Sequence, residues 1–401
     1  TAIGARAPRP HNANAGRDVT RWGVLAFAGT SLISTFTSLS PTASTWGLGG
    51  YYGGLMLVLF TTAGYWAVRS YLDLENLDFV FWVLGITTSI VAVLYVLNIF
   101  NIDLIGAYAD TAVVERAQFF STLGQKDFNG CFFSVALPIV FYQFLNAKDT
   151  RTAVWTGIPA AFGALALAVV DSEALALGIG AAVMVLVCHK NFTTRHLRRA
   201  ALISAAFFGW AAWMHYMRAS VYTQGGTALL AKLGAWQVAL PCMAASLLLW
   251  LVLFVLARKG IAAQAPLYLP GRGITIAVLA VGALAFVLAN AMPNLPLPES
   301  LHNLLVFNDD WGTYRGVAWR AAFGTWADGS LLRKIVGIGP GMMHTAVAAW
   351  AGDAMTARMA TFYAAHNEYL EQLLTTGILG LAAWLLLVAA HLPRKVLHRK
   401  L

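Results

Sequence analysis

A histidine near the end of the chain is followed by a pattern that could support acid–base chemistry. His366 and Asn367 are followed, after nine intervening residues, by Gly377-x-x-Gly380. An imidazole has an ordinary pKa near 6.5, so its neutral form can accept a proton from a hydroxyl group. The alternative is an interfacial histidine that is hydrogen-bonded to loop backbone.

The position of His366 strengthens the chemical interpretation. The motif lies where a long polar segment gives way to the last apolar segment, which predicts the imidazole at a membrane surface, on the first turn of a spanning helix. The positive end of the helix dipole attracts anions such as a diphosphate. The same field lowers the pKa of an imidazole, and a lower pKa favours a base.

Three arginines are candidates for binding a phosphate group. Arg315 and Arg320 lie five residues apart in one helical-looking run, where their directions diverge by roughly 140°. Arg218 follows an apolar segment, at the membrane edge. The planar guanidinium matches phosphate oxygens, and its hydrogen bonds are stronger where charge is less well screened. The alternatives are contacts with lipid headgroups or ion pairs with acids of the same loop, such as Asp309 and Asp310.

The other polar motifs favour structural roles. The run Gly337-Ile338-Gly339-Pro340-Gly341 most simply makes tight turns, with a phosphate-binding nest of backbone N–H groups as the alternative. Adjacent Asp309 and Asp310 are typical of solvated or ion-paired acids rather than of a metal site. His302 and His344 have no ligand partners at metal spacing. We predict no metal and no other cofactor.

Membrane helices are the elements expected to position these residues. Apolar residues make up 59% of the chain and charged residues 11%, against roughly 25% charged in a soluble domain. The apolar runs are continuous and about 18–22 residues long, as a helix across the hydrocarbon core requires. The predicted fold is an all-α, polytopic transmembrane helical bundle of 10–12 spans. Ten spans are visible in the sequence, near 22–41, 48–68, 78–98, 129–146, 152–170, 174–189, 200–217, 236–257, 274–292 and 369–391.

The net charge of +9 follows membrane topology rather than nucleic-acid binding. With a cytoplasmic N-terminus, most of the 27 Lys and Arg residues fall in cytoplasmic segments and every second loop is basic, as the positive-inside rule requires. The predicted organisation is therefore a cytoplasmic tail (1–21), a transmembrane bundle (22–292), a large extracytoplasmic loop subdomain that carries the site (293–368), and a final transmembrane helix with a basic cytoplasmic end (369–401).

The large loop is predicted to fold. Long loops without structure of their own are uncommon unless they are functional. This one has a proline-rich entry, a helical-looking run over 314–328 and a second apolar-faced stretch over 342–359. We expect a subdomain of short helices on the outer side of the membrane.

The stretch from Arg315 to Ala390 resembles the shared C-terminal region of the bacterial O-antigen ligase and polymerase superfamily. It covers about a fifth of the chain, and the rest is similar only in hydropathy and topology. Within the superfamily the chain is most similar to the ligases of Gram-negative lipopolysaccharide assembly. The matching residues are Arg315-Gly-x-x-Trp319-Arg320-Ala-Ala, Gly337-Ile-Gly-Pro-Gly341 and His366-Asn367 with Gly377-x-x-Gly380.

The resemblance implies an inverting, metal-independent membrane glycosyltransferase. Such a ligase moves a polysaccharide from undecaprenyl diphosphate to a lipid A–core sugar at the periplasmic face of the inner membrane. Its expected partners are these two glycolipids and membrane lipids, without nucleic acid. The resemblance makes His366 the catalytic residue and Asn367 a supporting one. It places Arg315 and Arg218, with Arg320 as a third, on the diphosphate of the donor.

Two features depart from the superfamily pattern. Its members commonly have about twelve spans, whereas ten are visible here. Its polymerases often carry Arg-x10-Gly repeats in outer loops, yet no glycine stands eleven positions after Arg315, Arg320, Arg218 or Arg116. The lack of such repeats favours a ligase.

Other functions are kept as alternatives. An O-antigen polymerase or a protein O-oligosaccharyltransferase would use the same donor with another acceptor. A secondary transporter would place charge and broken helices at the bilayer midplane. The predicted spans are nearly free of ionisable residues in their middle, and charge gathers in one outer loop, which favours chemistry at the surface over transport.

Overall fold

The computed structural model describes residues 19–47, 52–71, 77–110, 119–220, 232–261, 263–292, 295–356 and 362–391. These residues are mostly helical, with two two-residue strands, which confirms the all-α prediction. Most of the predicted cytoplasmic tail, up to residue 18, lies outside the described residues, as does the basic end from residue 392 onwards.

The helices are numbered here in chain order. The first ten are α1 (Val19–Phe36), α2 (Pro41–Trp46), α3 (Leu55–Tyr71), α4 (Leu77–Ile99), α5 (Lys126–Asn146), α6 (Thr150–Val169), α7 (Glu173–Cys188), α8 (Thr194–Ser220), α9 (Trp236–Arg258) and α10 (Tyr268–Ala291). The others are α11 (Glu299–Leu305), α12 (Trp311–Ala327), α13 (Leu331–Val336), α14 (Met343–Thr356), α15 (Glu368–Thr375) and α16 (Gly377–His391). Two short antiparallel strands, β1 (Phe119–Phe120) and β2 (Gly124–Gln125), precede α5.

Five of these helices are long and apolar enough to cross a membrane, namely α4, α5, α6, α9 and α10. Two more apolar helices, Glu173–Cys188 and Gly377–Ala390, are shorter. Helix α8 covers the predicted span near 200–217, whereas α1 and α3 only overlap those near 22–41 and 48–68, because α1 ends at Phe36 and α3 begins at Leu55. The structure thus supports a helical membrane protein, while the total of 10–12 spans stays a prediction.

The chain divides into two compact units, one formed by Asp73–Val281 and one by Thr1–Leu72 with Gly282–Leu401. In the first unit, α4, α5 and α6 pack around a core that includes Tyr95, Phe133 and Leu137. The strand pair is tied to this core, because the buried Asn129 side chain donates to the carbonyl groups of Phe120, Gly124 and Gln125.

The second unit joins the two ends of the chain. Helix α1 packs along α16, while α12 packs on α14 and α15. The core between α12 and α14 is built from apolar side chains such as Ala318 and Ala321 of α12 and Met343 and Val347 of α14. Over residues 295–356 the segment predicted as a folded loop consists of four helices, and the core of α12 and α14 is shared with Ala365 and with Leu374 of α15. The side of the membrane on which it lies remains a prediction.

The predicted last span, 369–391, is divided in the structure. Helix α15 is amphipathic and carries Glu368, Glu371 and Gln372, so it lies outside the apolar segment that begins at Gly377. Gly377 has a φ of +70°, and a Cβ there would overlap the carbonyl oxygen of Ile335. A close approach between α13 and the start of α16 therefore requires glycine at this position.

The glycine-rich run beginning at Gly337 packs against the end of α15. The backbone N–H of Ile338 donates to the Leu374 carbonyl (3.1 Å), and that of Gly339 donates to the Thr375 carbonyl (2.9 Å). The Ser34 hydroxyl of α1 also donates to the Thr375 carbonyl. These backbone groups are already used within the protein, which favours tight turns over a phosphate nest.

Substituting Gly337 should test this packing. Gly337 has a φ of +82°, and a Cβ would overlap the carbonyl of Thr375. We expect Gly337→Ala to destabilise the protein by more than about 1 kcal/mol, seen as a lower thermal unfolding midpoint in detergent. The control is Gly29→Ala, because a Cβ at Gly29 in α1 meets no atom within 4 Å. Equal midpoints for the two variants would contradict the packing described.

Candidate active site

His366 lies just ahead of a capped helix. The Asn367 side chain accepts hydrogen bonds from the backbone N–H groups of Tyr369 (3.1 Å) and Leu370 (3.3 Å), which makes Asn367 the N-cap of α15. An asparagine in this position satisfies N–H groups that a helix start leaves unpaired. His366 is therefore not on the first turn, as its sequence context predicts, but immediately before the cap. Asn367 supports it by fixing where the helix begins.

The backbone of His366 is held in an unusual conformation. Its φ is +49°, in the left-handed region that costs energy for a residue with a Cβ. Such strain persists only where the surroundings impose it, and it is concentrated at functional sites. The imidazole is exposed and meets the ring of Phe362 edge-on, with centroids 5.9 Å apart. Contacts on both sides of His366 explain how this geometry is kept.

Ala365, the residue before the histidine, is hydrogen-bonded through both of its backbone groups. Its N–H donates to Oε2 of Glu371 (2.7 Å), and its carbonyl accepts from the indole Nε1 of Trp319 (2.9 Å). Ala365 is fully buried. Because buried peptide groups are costly to leave unpaired, these two bonds hold the peptide groups on both sides of Ala365, and the one bonded to Trp319 leads into His366.

A second histidine holds the start of the same segment. Nδ1 of His344 in α14 lies 3.1 Å from the carbonyl oxygen of Phe362, so Nδ1 is the donor, since a carbonyl can only accept. The His344 ring also stacks on Tyr363, with centroids 4.6 Å apart. The segment that carries His366 is thus attached to α12, α14 and α15.

Glu371 is the acidic partner in this arrangement. Burial raises the pKa of its carboxyl group to about 7, the Ala365 N–H opposes the rise, and the nearby charge of Glu368 adds to it. A carboxylate that reaches back over the start of its own helix resembles the glutamate of a capping box. Here it reaches two residues beyond the cap and holds Ala365.

Arg315 lies one turn before Trp319 on α12. Residues four apart share a helix face. Arg315 is therefore on the same face of α12 as Trp319, whose indole N–H donates to the Ala365 carbonyl. The Trp319 ring is packed against Trp311 (centroids 5.2 Å apart) and Phe307 (5.9 Å). Tyr314, the residue before Arg315, also has a left-handed φ, of +68°. The structure therefore joins the helix of Arg315 to the segment of His366 through Trp319.

The other two arginines have different surroundings. Arg320 forms an ion pair with Asp309, and its side chain is 62% exposed. Arg218 lies in the last turn of α8, in the unit Asp73–Val281. Its Nε is buried and has no hydrogen-bond partner among the described residues. Asp171 is close enough to act on its charge.

A cleft of about 400 Å³ opens beside the histidine segment. Its lining includes Tyr363 and Ala364, which precede His366 in the sequence, and Glu368 and Glu371, which follow it. The opposite wall is formed by α1 and α3. The residues on both sides of His366 in the sequence thus border a half-open cleft large enough for part of a ligand.

Sequence patterns did not identify every residue of this arrangement. Trp319 and Glu371 both lie within recognisable stretches, but their hydrogen bonds to Ala365 connect residues 46 and 6 positions apart. A glutamate on the half-buried side of a short amphipathic helix is a signal that could have drawn attention to Glu371. Nothing in the spacing indicates the bond of Trp319.

Comparisons with protein-family models, with characterised proteins and with solved structures found no match for this chain. The site is therefore interpreted from its own geometry and from the residues of the motif.

The raised pKa of Glu371 gives stability a defined pH dependence. A carboxyl whose pKa is about 7 when folded, against 4.5 ordinarily, binds more protons in the folded state between these values. Its contribution to stability is therefore lost as pH rises from 4.5 to 7. We expect the unfolding midpoint of the wild type to fall over this range relative to that of Glu371→Gln, which does not titrate. Parallel pH profiles would contradict this assignment, and Glu299→Gln in α11 serves as the control.

Proposed function

We propose that this chain is a membrane glycosyltransferase of the O-antigen ligase type. It would transfer a glycan from undecaprenyl diphosphate to a sugar of lipid A–core, at the periplasmic face of a Gram-negative inner membrane. The observation that carries the proposal is the hydrogen bond from Trp319 to Ala365, because it connects the helix of Arg315 to the backbone that presents His366. The sequence resemblance supplies the identity of the substrates.

In the proposed reaction, the neutral imidazole of His366 accepts the proton of the acceptor hydroxyl. The hydroxyl oxygen attacks the anomeric carbon, a new glycosidic bond forms, and the bond from that carbon to the diphosphate oxygen breaks. Undecaprenyl diphosphate leaves with the electron pair, and the anomeric configuration is inverted. A diphosphate is a good leaving group, so positioning and electrostatic stabilisation can supply much of the acceleration.

The three arginines differ in how strongly their surroundings favour a role in binding the diphosphate. Arg315 is the first candidate, because it shares a helix face with Trp319. Arg218 is supported by its buried Nε, which has no partner in the described part of the chain and which an anionic oxygen would satisfy. Arg320 would have to exchange Asp309 for phosphate, so we assign it a secondary role.

Two of the alternative functions use a different acceptor, and the third, transport, involves no chemical reaction. An O-antigen polymerase would accept a second lipid-linked glycan, and a protein O-oligosaccharyltransferase would accept a peptide hydroxyl. Offering each acceptor to the purified protein with the same donor separates the three. A secondary transporter would move its substrate unchanged and would depend on an ion gradient, which purified protein in detergent cannot maintain.

Removing the imidazole is the direct test of the mechanism. We expect His366→Ala to lower transfer by at least roughly 100-fold, the lower range for loss of a general base, with normal abundance in the membrane. The assay combines purified protein, lipid-linked glycan and lipid A–core, with a chelator present throughout. His302→Ala, an exposed histidine on α11, is the matched control and should retain activity. Wild-type transfer by a well-expressed His366→Ala variant would refute the base role.

A further inference from the structure

The cleft beside His366 has two chemically different walls. One wall is formed by α1 and α3 and is mainly apolar, with Phe27 and Leu57 beside the hydroxyl-bearing Ser31. The other includes Glu368 and Gln372 from α15. An apolar wall beside a polar one suits a ligand with both a lipid-like and a hydrophilic part.

The charge of the lining argues against an anionic ligand. Two carboxyl groups, those of Glu368 and Glu371, line the cleft, and none of its described lining residues is a lysine or an arginine. A diphosphate entering this volume would meet like charge without a compensating cation, which is unfavourable at short range. A neutral ligand rich in hydroxyl groups would instead donate hydrogen bonds to the two carboxylates and to the side-chain amide oxygen of Gln372.

Ser31 provides independent evidence for a polar ligand. Its side chain is fully buried, it lines the cleft, and its Oγ has no hydrogen-bond partner in the described part of the chain. Neighbouring hydroxyl groups on α1 do have partners, since Thr35 donates to the Ser31 carbonyl and Ser34 donates to the Thr375 carbonyl. A buried hydroxyl without a partner costs free energy, and a ligand hydroxyl in the cleft would satisfy it.

Aromatic side chains complete the lining. Trp384 and Tyr363 border the cleft, and Trp384 is also in edge-to-face contact with Tyr369, with centroids 5.3 Å apart. Apolar aromatic faces can pack against the C–H groups of a sugar ring, while the carboxyl and hydroxyl groups of the lining can hydrogen-bond to the hydroxyl groups at its edge.

We infer that this cleft binds an uncharged sugar unit of a membrane-anchored glycolipid, with the carboxylates of α15 and the Ser31 hydroxyl as its hydrogen-bond partners. This inference rests on the proposed function and deepens it, because the diphosphate is assigned to the arginines and the sugar to a separate volume. Tyr363 and Ala364 stand three and two residues before His366, so the histidine segment itself forms part of the sugar site.

Binding can be measured without any transfer reaction. Full-length protein in lipid nanodiscs is titrated with methyl glycosides of neutral sugars (glucose, galactose, mannose, rhamnose and N-acetylglucosamine), and binding is followed by saturation-transfer NMR. Inorganic pyrophosphate is the competing anion. We expect at least one glycoside to bind and pyrophosphate not to displace it.

Two variants locate the binding to the cleft. Ser31→Ala should weaken the glycoside by roughly fivefold, as loss of one neutral hydrogen bond implies. Glu368→Leu should weaken it by about tenfold or more, as loss of a charged acceptor implies. Ser89→Ala in α4 and Glu299→Leu in α11 make the same chemical changes outside the cleft and should leave binding unchanged. If one of the two cleft variants folds poorly, the other still tests the site.

The outcomes separate this inference from the proposed function. The inference would be overturned if no glycoside bound, if pyrophosphate displaced the glycoside, or if both cleft variants bound the glycoside as tightly as the wild type does. Loss of transfer in His366→Ala would still support a glycosyltransferase in each of these cases. Cleft-dependent sugar binding without transfer from any lipid-linked donor would support the sugar site and contradict the proposed reaction.

Discussion

The arrangement around His366 depends on two hydrogen bonds to a single buried residue. Ala365 donates to Glu371 and accepts from Trp319, so its peptide groups are held from α15 and from α12 at once. The left-handed backbone of His366 lies immediately after this restraint. If either bond were lost, a buried peptide group would be left unpaired and the strained residue beside it would be free to relax. Every functional role proposed for the histidine assumes that this peptide stays in place.

Acidic and basic candidates lie on different helices of the unit that contains His366. The carboxyl groups of α15 line the cleft beside the histidine segment, and Arg315 and Arg320 lie on α12. A glycosyl transfer from a lipid diphosphate needs both environments, one for anionic oxygens and one for hydroxyl groups. Burial raises the pKa of Glu371 to about 7, so part of the acidic wall can be uncharged near neutral pH. This lowers the cost of burying a carboxyl beside an apolar wall.

The parts that could be predicted from the sequence are those set by local patterns. Long apolar runs predicted the helices, and the run over 314–328 became α12 at Trp311–Ala327. The motif drew attention to His366, Asn367 and Arg315. The predicted span began one residue after the observed start of α15 at Glu368, but His366 was placed on the first turn although Asn367 is a favoured N-cap residue, because hydropathy locates a segment better than its cap. The packing of α1 along α16 and the bond from Trp319 to Ala365 join residues far apart in the chain, and no local pattern reveals them.

The most direct test of this account is the transfer rate of Trp319→Phe. Phenylalanine keeps an aromatic ring against Trp311 and Phe307 but removes the N–H that holds Ala365. Trp311→Phe is the matched control, since it removes a similar indole bond, to the Leu304 carbonyl, from the same aromatic cluster. We expect transfer by Trp319→Phe to fall about tenfold or more, while transfer by the control stays near wild type. Each variant loses one indole hydrogen bond, so we expect similar, modest decreases of the unfolding midpoint in both. Wild-type transfer by Trp319→Phe would contradict the claim that this hydrogen bond positions His366 for the proposed reaction.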